Sequence, residues 1–292
     1  MYEEFYGLSE KPFSILPDPD LIYWGPHHSL AFAILEFGVL NNAGFTVITG
    51  DIGSGKTTLI RYLLRKLDPA VNVGLISNTP HGRDELLQWI MMSLGQSYND
   101  AYPALFHKFY HFLYEQYTKR RRTILIIDEA QNLGAEALEE LRMLSNINAD
   151  KNQFLQLILV GQPQLKQLLR TPQLLQFAQR ISSDFHLRPL KPDEVSRYIA
   201  FRLHAVGSSV NLFSPEACKL IADASSGIPR MINILCDTAL VYGYAANTNV
   251  ISVDLVNMVI ENKVDFGVLP LMNSPDVQTP VLNGSNRSVT EW

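Results

Sequence analysis

Apolar residues along the chain keep two rhythms. Short runs such as Phe45–Thr49, Val71–Ser77, Thr123–Ile127 and Leu155–Val160 read as strands. Between them lie longer stretches whose apolar positions recur every three or four residues. In Thr57–Leu67, for example, Leu59, Ile60, Leu63, Leu64 and Leu67 share one helical face. Asp84–Leu94, Ala104–Tyr117 and Ala135–Ile147 predict further helices, and two short ones follow around Pro163–Leu169 and Pro172–Arg180. Thr123–Ile127 is continuously apolar and β-branched, as a central parallel strand buried on both faces requires. Ser183–Leu187 can close the sheet as a fifth strand. Strands alternating with helices imply an α/β fold, a parallel sheet with helices on both faces.

The two ends differ from this middle. Residues 1–26 are rich in aromatics and proline, which prevents a long helix and suggests a segment that packs. His27–Leu40 then reads as a mostly buried helix ended by Ala43-Gly44, so residues 1–44 are expected to pack on the core. After Pro189 the strand pattern stops. Pro192–Val206, Ser214–Ala224, Pro229–Tyr244 and Val253–Asn262 predict helices, with Asp193 and Ser214 at cap or first-turn positions. The division expected is 1–44, a core at 45–190, an all-helical unit at 191–262 and a disordered tail at 263–292. The helical unit, of roughly 70 residues, is small for independent stability and should lean on the core. The apolar patch Phe266–Met272 in the tail is expected to pack back on the helical unit or stay disordered, with docking on a partner as the alternative.

Charge changes the picture little. A net charge of −5 does not favour a general affinity for nucleic acid. The basic run Lys119-Arg120-Arg121-Arg122 reads as a solvated helix end before a buried strand. Cys218 and Cys236 lack metal or redox spacing and read as buried residues in a reducing compartment. The acidic, aromatic N-terminus is not a signal peptide, and no apolar run approaches the roughly 20 residues of a membrane span. The expectation is a cytoplasmic protein with no direct membrane insertion.

The chemistry sits where strands end. Gly50-Asp51-Ile52-Gly53-Ser54-Gly55-Lys56-Thr57 fits G-x-x-x-x-G-K-[ST], and Thr58 follows it into the helix. Glycines let backbone N–H groups wrap phosphates, Lys56 reaches the β- and γ-phosphates, and Thr57 offers a hydroxyl to Mg²⁺. Ile124–Ile127 then runs into Asp128 and Glu129. Asp128 is placed to hold the Mg²⁺ shell and Glu129 to polarise an attacking water. Gln162 ends the Leu155–Val160 strand. It faces the γ-phosphate or the water if that strand lies between the other two; otherwise it is a turn residue ahead of Pro163. Arg180 and Arg230 carry forks suited to developing phosphate charge, or are surface helix residues. Arg188 and Arg197 are understudies. The implied ligands are ATP and Mg²⁺.

MYEEFYGLSEKPFSILPDPD, GDIGSGKTTL, ILIIDEAQNL, LILVGQPQL, QRISSDFHLRPL and SGIPRMIN, in that order, resemble general secretion pathway protein A. Within that group the chain is most similar to stand-alone ATPases of exosortase (PEP-CTERM) and exopolysaccharide loci. The resemblance spans about residues 1–262 and implies an AAA+ P-loop NTPase, its five parallel strands ordered 5-1-4-3-2, with a C-terminal helical lid. It further implies sensor roles for Gln162 and Arg230, and an arginine finger at Arg180. Full-length proteins of that family continue into a transmembrane segment and a peptidoglycan-binding domain, neither of which is expected here. The function implied is ATP hydrolysis driving assembly of an envelope export system, by a homo-oligomer with a protein partner that holds it at the inner membrane. The alternatives are a DNA-binding regulator of the transposition type and a nucleotide-dependent scaffold with little turnover.

Overall fold

Five parallel strands form the centre of the computed structural model, which describes residues 1–77, 83–148 and 153–266. They are β1 (Phe45–Gly50), β2 (Asn72–Ile76), β3 (Thr123–Ile127), β4 (Leu155–Gly161) and β5 (Ile181–Leu187), ordered β2-β3-β4-β1-β5. This is the implied 5-1-4-3-2 order read from the other edge. β3 and β4 are buried along their whole length, which is why their sequences are almost wholly apolar; the buried Gln156 of β4 donates to the Gly38 carbonyl at 3.2 Å. β5 lies at an edge, so Ser182 and Asp184 reach solvent.

Successive residues of a strand feed opposite layers. Ile124 and Ile126 pack with Ala31 and Leu35 of α2 (Pro26–Leu40) and with Leu59 and Leu63 of α3 (Lys56–Lys66). Leu125 and Ile127 face the other layer. That layer holds α4 (Arg83–Ser93), α5 (Tyr102–Thr118), α6 (Gly134–Leu144), α7 (Pro163–Leu169) and α8 (Leu175–Ala178). The helix expected over Pro172–Arg180 is instead a 3₁₀ turn followed by the single turn of α8.

The lid consists of α9 (Pro192–Ala205), α10 (Pro215–Ser225), α11 (Pro229–Ala245) and α12 (Val253–Phe266). Proline opens α9, α10 and α11, where its missing N–H costs nothing, and the Ser214 hydroxyl caps α10 through the Ala217 N–H at 3.1 Å. Gly227 makes the turn into α11 at φ +72°, and a Cβ there would stand 1.9 Å from the Leu190 carbonyl oxygen. α12 runs to Phe266, so residues 263–266 are helical rather than tail. The remainder of the expected tail, including most of the Phe266–Met272 patch, lies outside the described residues.

The N-terminal segment departs from expectation. Only α2 packs on the sheet; Tyr2 of α1 (Tyr2–Phe5), Tyr6, Leu8 and Phe13 join the lid's apolar cluster. The Tyr2 hydroxyl donates to Asp237, and the Tyr6 hydroxyl to the Thr248 carbonyl at 3.1 Å. The lid core, too small to cover itself, is completed by aromatics from the other end of the chain.

Candidate functional site

β4 lies between β1 and β3, with Thr49 in register with Gly161 and Ile127 with Leu159. The loops leaving the three strands therefore converge at one edge of the sheet. The β1 loop, Gly50–Gly55, turns into α3, with Gly53 at φ +79° and Gly55 at φ +98°. Its concave side presents backbone N–H groups at a helix N-terminus, a ready anion cradle. A Cβ on Gly53 would come within 2.5 Å of Arg230 Cβ, so glycine is also what lets the lid approach.

Lys56 is buried, and its ammonium donates to the carbonyls of Gly50 and Asp51, each at 2.8 Å. Burial pushes its pKa below the ordinary lysine value, while Glu129, Asp128 and Asp51 push back. The Thr57 hydroxyl donates to Asp128 Oδ2 at 2.9 Å. That oxygen-only pair suits a hard cation. Among the described residues no three His, Cys, Asp or Glu side chains converge as a metal cage. Mg²⁺ fits this donor set, because it is commonly held by one or two protein oxygens together with substrate phosphates and water.

Glu129 follows Asp128 with a left-handed backbone, φ +54°. Such a conformation costs a non-glycine residue on the order of 1 kcal/mol or more and often marks a functional position. Here it accompanies a carboxylate gripped from two sides. Glu129 Oε2 accepts from Gln162 Nε2 at 2.9 Å and from Gln131 Nε2 at 2.6 Å. Gln131 Oε1 in turn accepts the Gln162 backbone N–H at 2.9 Å, so the three side chains form one connected unit. Burial alone would raise the Glu129 pKa. The two amide donors and the Lys56 charge outweigh it and hold the carboxyl below its ordinary value.

Two of these positions carried no role in the sequence reading. Gln131 stood in the Asp-Glu-Ala-Gln run, but nothing in that run says which way an amide two residues on will point. His28 opens a buried helix, where a lone histidine carries no signal of its own. Its Nε2–H donates to the Ser54 carbonyl at 3.0 Å, which fixes the tautomer. Burial lowers its pKa, so the ring supports the phosphate loop as a neutral donor.

Gly53, Gly55, Lys56, Thr57 and Thr58 line a cavity of about 210 Å³ together with Ile52, Glu129 and His28. Arg230 enters from the lid, at the first turn of α11, where its backbone N–H donates to the Gly53 carbonyl at 3.2 Å. The segment Ser14–Tyr23 forms another wall. Asn233 holds it through the Ser14 carbonyl at 3.1 Å, and Arg61 through the Pro17 carbonyl at 2.9 Å. Arg180 does not join this cavity. It is exposed, just before β5, and its guanidinium donates to Ser145 Oγ at 2.8 Å and the Arg142 carbonyl at 3.2 Å. Arg197 is paired with Asp193 at 2.6 Å.

Residues 40–169 match the AAA domain family. Over 251 residues the chain is 39% identical to General secretion pathway protein A of Aeromonas hydrophila, a match covering 85% of this chain and 46% of that protein. The chain thus spans about half the length of that relative. Among solved structures, the ORC2 protein of Aeropyrum pernix superposes with a TM-score of 0.59 at 20% identity, covering 80% of this chain and 66% of that one. The RuvB branch migration motor of Thermotoga maritima gives a TM-score of 0.53 at 19% identity, over 82% and 69% of the two chains. These two likenesses concern the fold. Strand order, phosphate loop and family match agree: the chain has an AAA-type P-loop fold, residues 40–169 are similar to the AAA domain family, and over most of its length the chain is similar in sequence to General secretion pathway protein A.

Proposed function

We propose that this chain binds Mg-ATP and hydrolyses it to drive assembly or remodelling of an envelope secretion system. The observation that carries the enzymatic half is Glu129, which lines the same cavity as Lys56 and Thr57 and is held from behind by Gln131 and Gln162. A loop that merely holds nucleotide has no need of a carboxylate kept ionised, gripped by two amides and turned towards the phosphate cradle.

In this reading the loop N–H groups and Lys56 bind the triphosphate, and Thr57 and Asp128 hold the cation. When bound, Mg²⁺ neutralises charge on the β- and γ-phosphate oxygens. Glu129 orients the attacking water and draws on its proton, while Gln162 fixes Glu129 and senses the γ-phosphate. Arg230, fixed to the loop through Gly53, brings the lid onto the nucleotide. Arg180 serves the site of a neighbouring copy in a homo-oligomer. Its exposure, and its absence from its own cavity, favour that assignment.

The secretion half rests on the relative's name and on the sequence likeness. The finer reading places the protein on the cytoplasmic side of the envelope, in an exosortase-linked exopolysaccharide export system, held to the membrane by a protein partner. No helix among the described residues is long and apolar enough to cross a membrane.

The test is phosphate release by three preparations: Glu129→Gln, Arg180→Ala, and their mixture. Each variant alone should be nearly inactive, since arginine fingers contribute about 10³–10⁵ in rate. In the mixture some interfaces pair an intact Glu129 site with an intact Arg180, and activity should partly return once sedimentation confirms co-assembly. Co-assembly without recovery removes Arg180 from the role and passes it to Arg188. Negligible turnover by the unmodified chain leaves a nucleotide-dependent scaffold instead.

A further inference from the structure

Far from the phosphate loop, where α5 ends and β3 begins, the chain carries a surface that the ATPase reading leaves unused. Tyr110, Tyr114 and Tyr117 follow one another on the exposed side of α5, at spacings that put them in one line along about 10 Å of helix. The line ends at a cleft of about 770 Å³, lined by Tyr117, Arg120, Arg121 and Arg122 from this side and by Asn41 and Asn42 from the end of α2. Among the described residues no carboxylate lines it. Glu115, on the same helix, is already paired with Lys119 at 2.7 Å. Arg122 is anchored to the Val39 carbonyl at 2.8 Å. Among the described residues the guanidinium groups of Arg120 and Arg121 have no carboxylate within ion-pair distance.

We infer that this Tyr110–Arg122 surface docks an acidic segment of a partner protein. The inference rests on the proposed reading of an ATPase that works on a protein partner, and it assigns that partner's chemistry.

Three observations decide between kinds of anion. First, the composition is that of protein–protein hot spots, in which tyrosine and arginine are enriched and acidic residues depleted. Second, the rings of Tyr114 and Tyr117 lie against Phe154, with centroids 6.5 and 4.6 Å away. Tyr117, at the arginine end of the line, gives one ring face to Phe154, which narrows the stacking surface that single-stranded nucleic acid uses. The net charge of −5 also repels a long polyanion, whereas a short acidic segment meets only the local arginines. Third, the arginines lie in a concavity between α5 and the Asn41-Asn42 turn, which a flat bilayer does not enter. An extended segment of a few residues, at about 3.3 Å each, spans the tyrosine line and places a carboxylate among the arginines.

The test uses the full chain and the variant Arg120→Asn/Arg121→Gln. Arg120 sits at φ +57°, a left-handed position that asparagine adopts more easily, so the variant should fold at least as well. Fluorescence anisotropy is read with a labelled peptide of repeating Glu-Glu-Leu, with an oligothymidylate, and with vesicles containing phosphatidylglycerol. The peptide should bind, weaken as salt rises, and lose roughly tenfold in affinity in the variant, with the melting temperature and phosphate release unchanged. No peptide binding, or peptide binding indifferent to the variant, overturns the inference. So does tighter binding of the oligonucleotide or the vesicles that the variant abolishes. Because phosphate release is measured alongside, loss of this docking surface is distinguishable from failure of the ATPase reading.

Discussion

Replacing Gln131 with alanine separates holding the carboxylate proposed as catalytic from being it. Gln131 gives Glu129 its shorter hydrogen bond, 2.6 Å, and ties Gln162 to the same unit through a 2.9 Å bond to the Gln162 backbone. It does not line the cavity proposed to hold the nucleotide, so ATP affinity should be unchanged. A hydrogen bond to a charged group contributes about 1.5–3 kcal/mol, and the half-open position of Glu129 argues for the lower end. About 1.4 kcal/mol is tenfold in rate, so kcat should fall roughly tenfold while KM stays put. The pH profile should move as well. Amide donors and Lys56 depress the Glu129 pKa, so activity on the acid side persists until pH falls through that lowered value. Without Gln131 the burial penalty is opposed by one donor fewer, the pKa rises, and the acid limb of kcat shifts to higher pH. Steady-state phosphate release across pH, with calorimetric ATP titration at neutral pH, reads all three quantities. An unmoved acid limb with kcat within a factor of two of wild type would refute the assignment of Gln131 as a positioning residue.

Lys56→Ala should abolish tight ATP binding, because the phosphate loop loses the one ammonium buried against it; undiminished affinity by calorimetry would remove the site assignment. Gly227→Ala should destabilise the lid by roughly 2–4 kcal/mol, since a Cβ 1.9 Å from the Leu190 carbonyl oxygen adds severe overlap to a φ of +72°. That corresponds to a melting temperature lower by roughly 5–10 °C, and an unshifted melt would show that the turn yields at little cost. Glu129→Gln should bind ATP as the wild type does and release no phosphate, because the amide keeps the shape without accepting a proton; turnover within a factor of two of wild type would assign water activation elsewhere.

Sequence reading points to those parts of the candidate site whose chemistry is local. The phosphate loop and the Asp128-Glu129 pair each combine a strand that points a residue type at one edge of the sheet with a spacing that admits few other purposes. Gln162 is conditional on β4 lying between β1 and β3, and the strand order meets that condition. Gln131 was beyond reach, because its aim depends on the left-handed backbone at Glu129, which no propensity predicts for glutamate. His28 was beyond reach for a different reason. Its partner is a backbone carbonyl, and a carbonyl leaves no mark in the identity of the residue that carries it.

The largest departure lay in the N-terminal segment, and distance along the chain explains it. Proline and aromatic content said that residues 1–26 pack, but not against what. The partners of Tyr2, Pro12 and Ser14 are Asp237, Arg202 and Asn233, all around two hundred residues away. Pattern reading has no access to pairings of that range. They alter how the lid must be understood. Arg202, buried under the segment, donates to the Pro12 carbonyl at 2.6 Å, and Arg65 of α3 pairs with Asp20 at 2.8 Å. One stretch of chain is therefore fastened to the lid at one end and, a few residues later, to the helix that springs from the phosphate loop. The Arg65–Asp20 pair is exposed and contributes little by itself. The buried Arg202 contacts and the four side chains lent to the lid core are the stronger tie. The residues that complete the lid core are thus followed directly in the chain by Ser14–Tyr23, which wall the candidate nucleotide cavity. Because Ser14–Tyr23 is tied to both, a shift of the lid against α3 has to strain or break one set of ties, and the wall of the cavity changes with it.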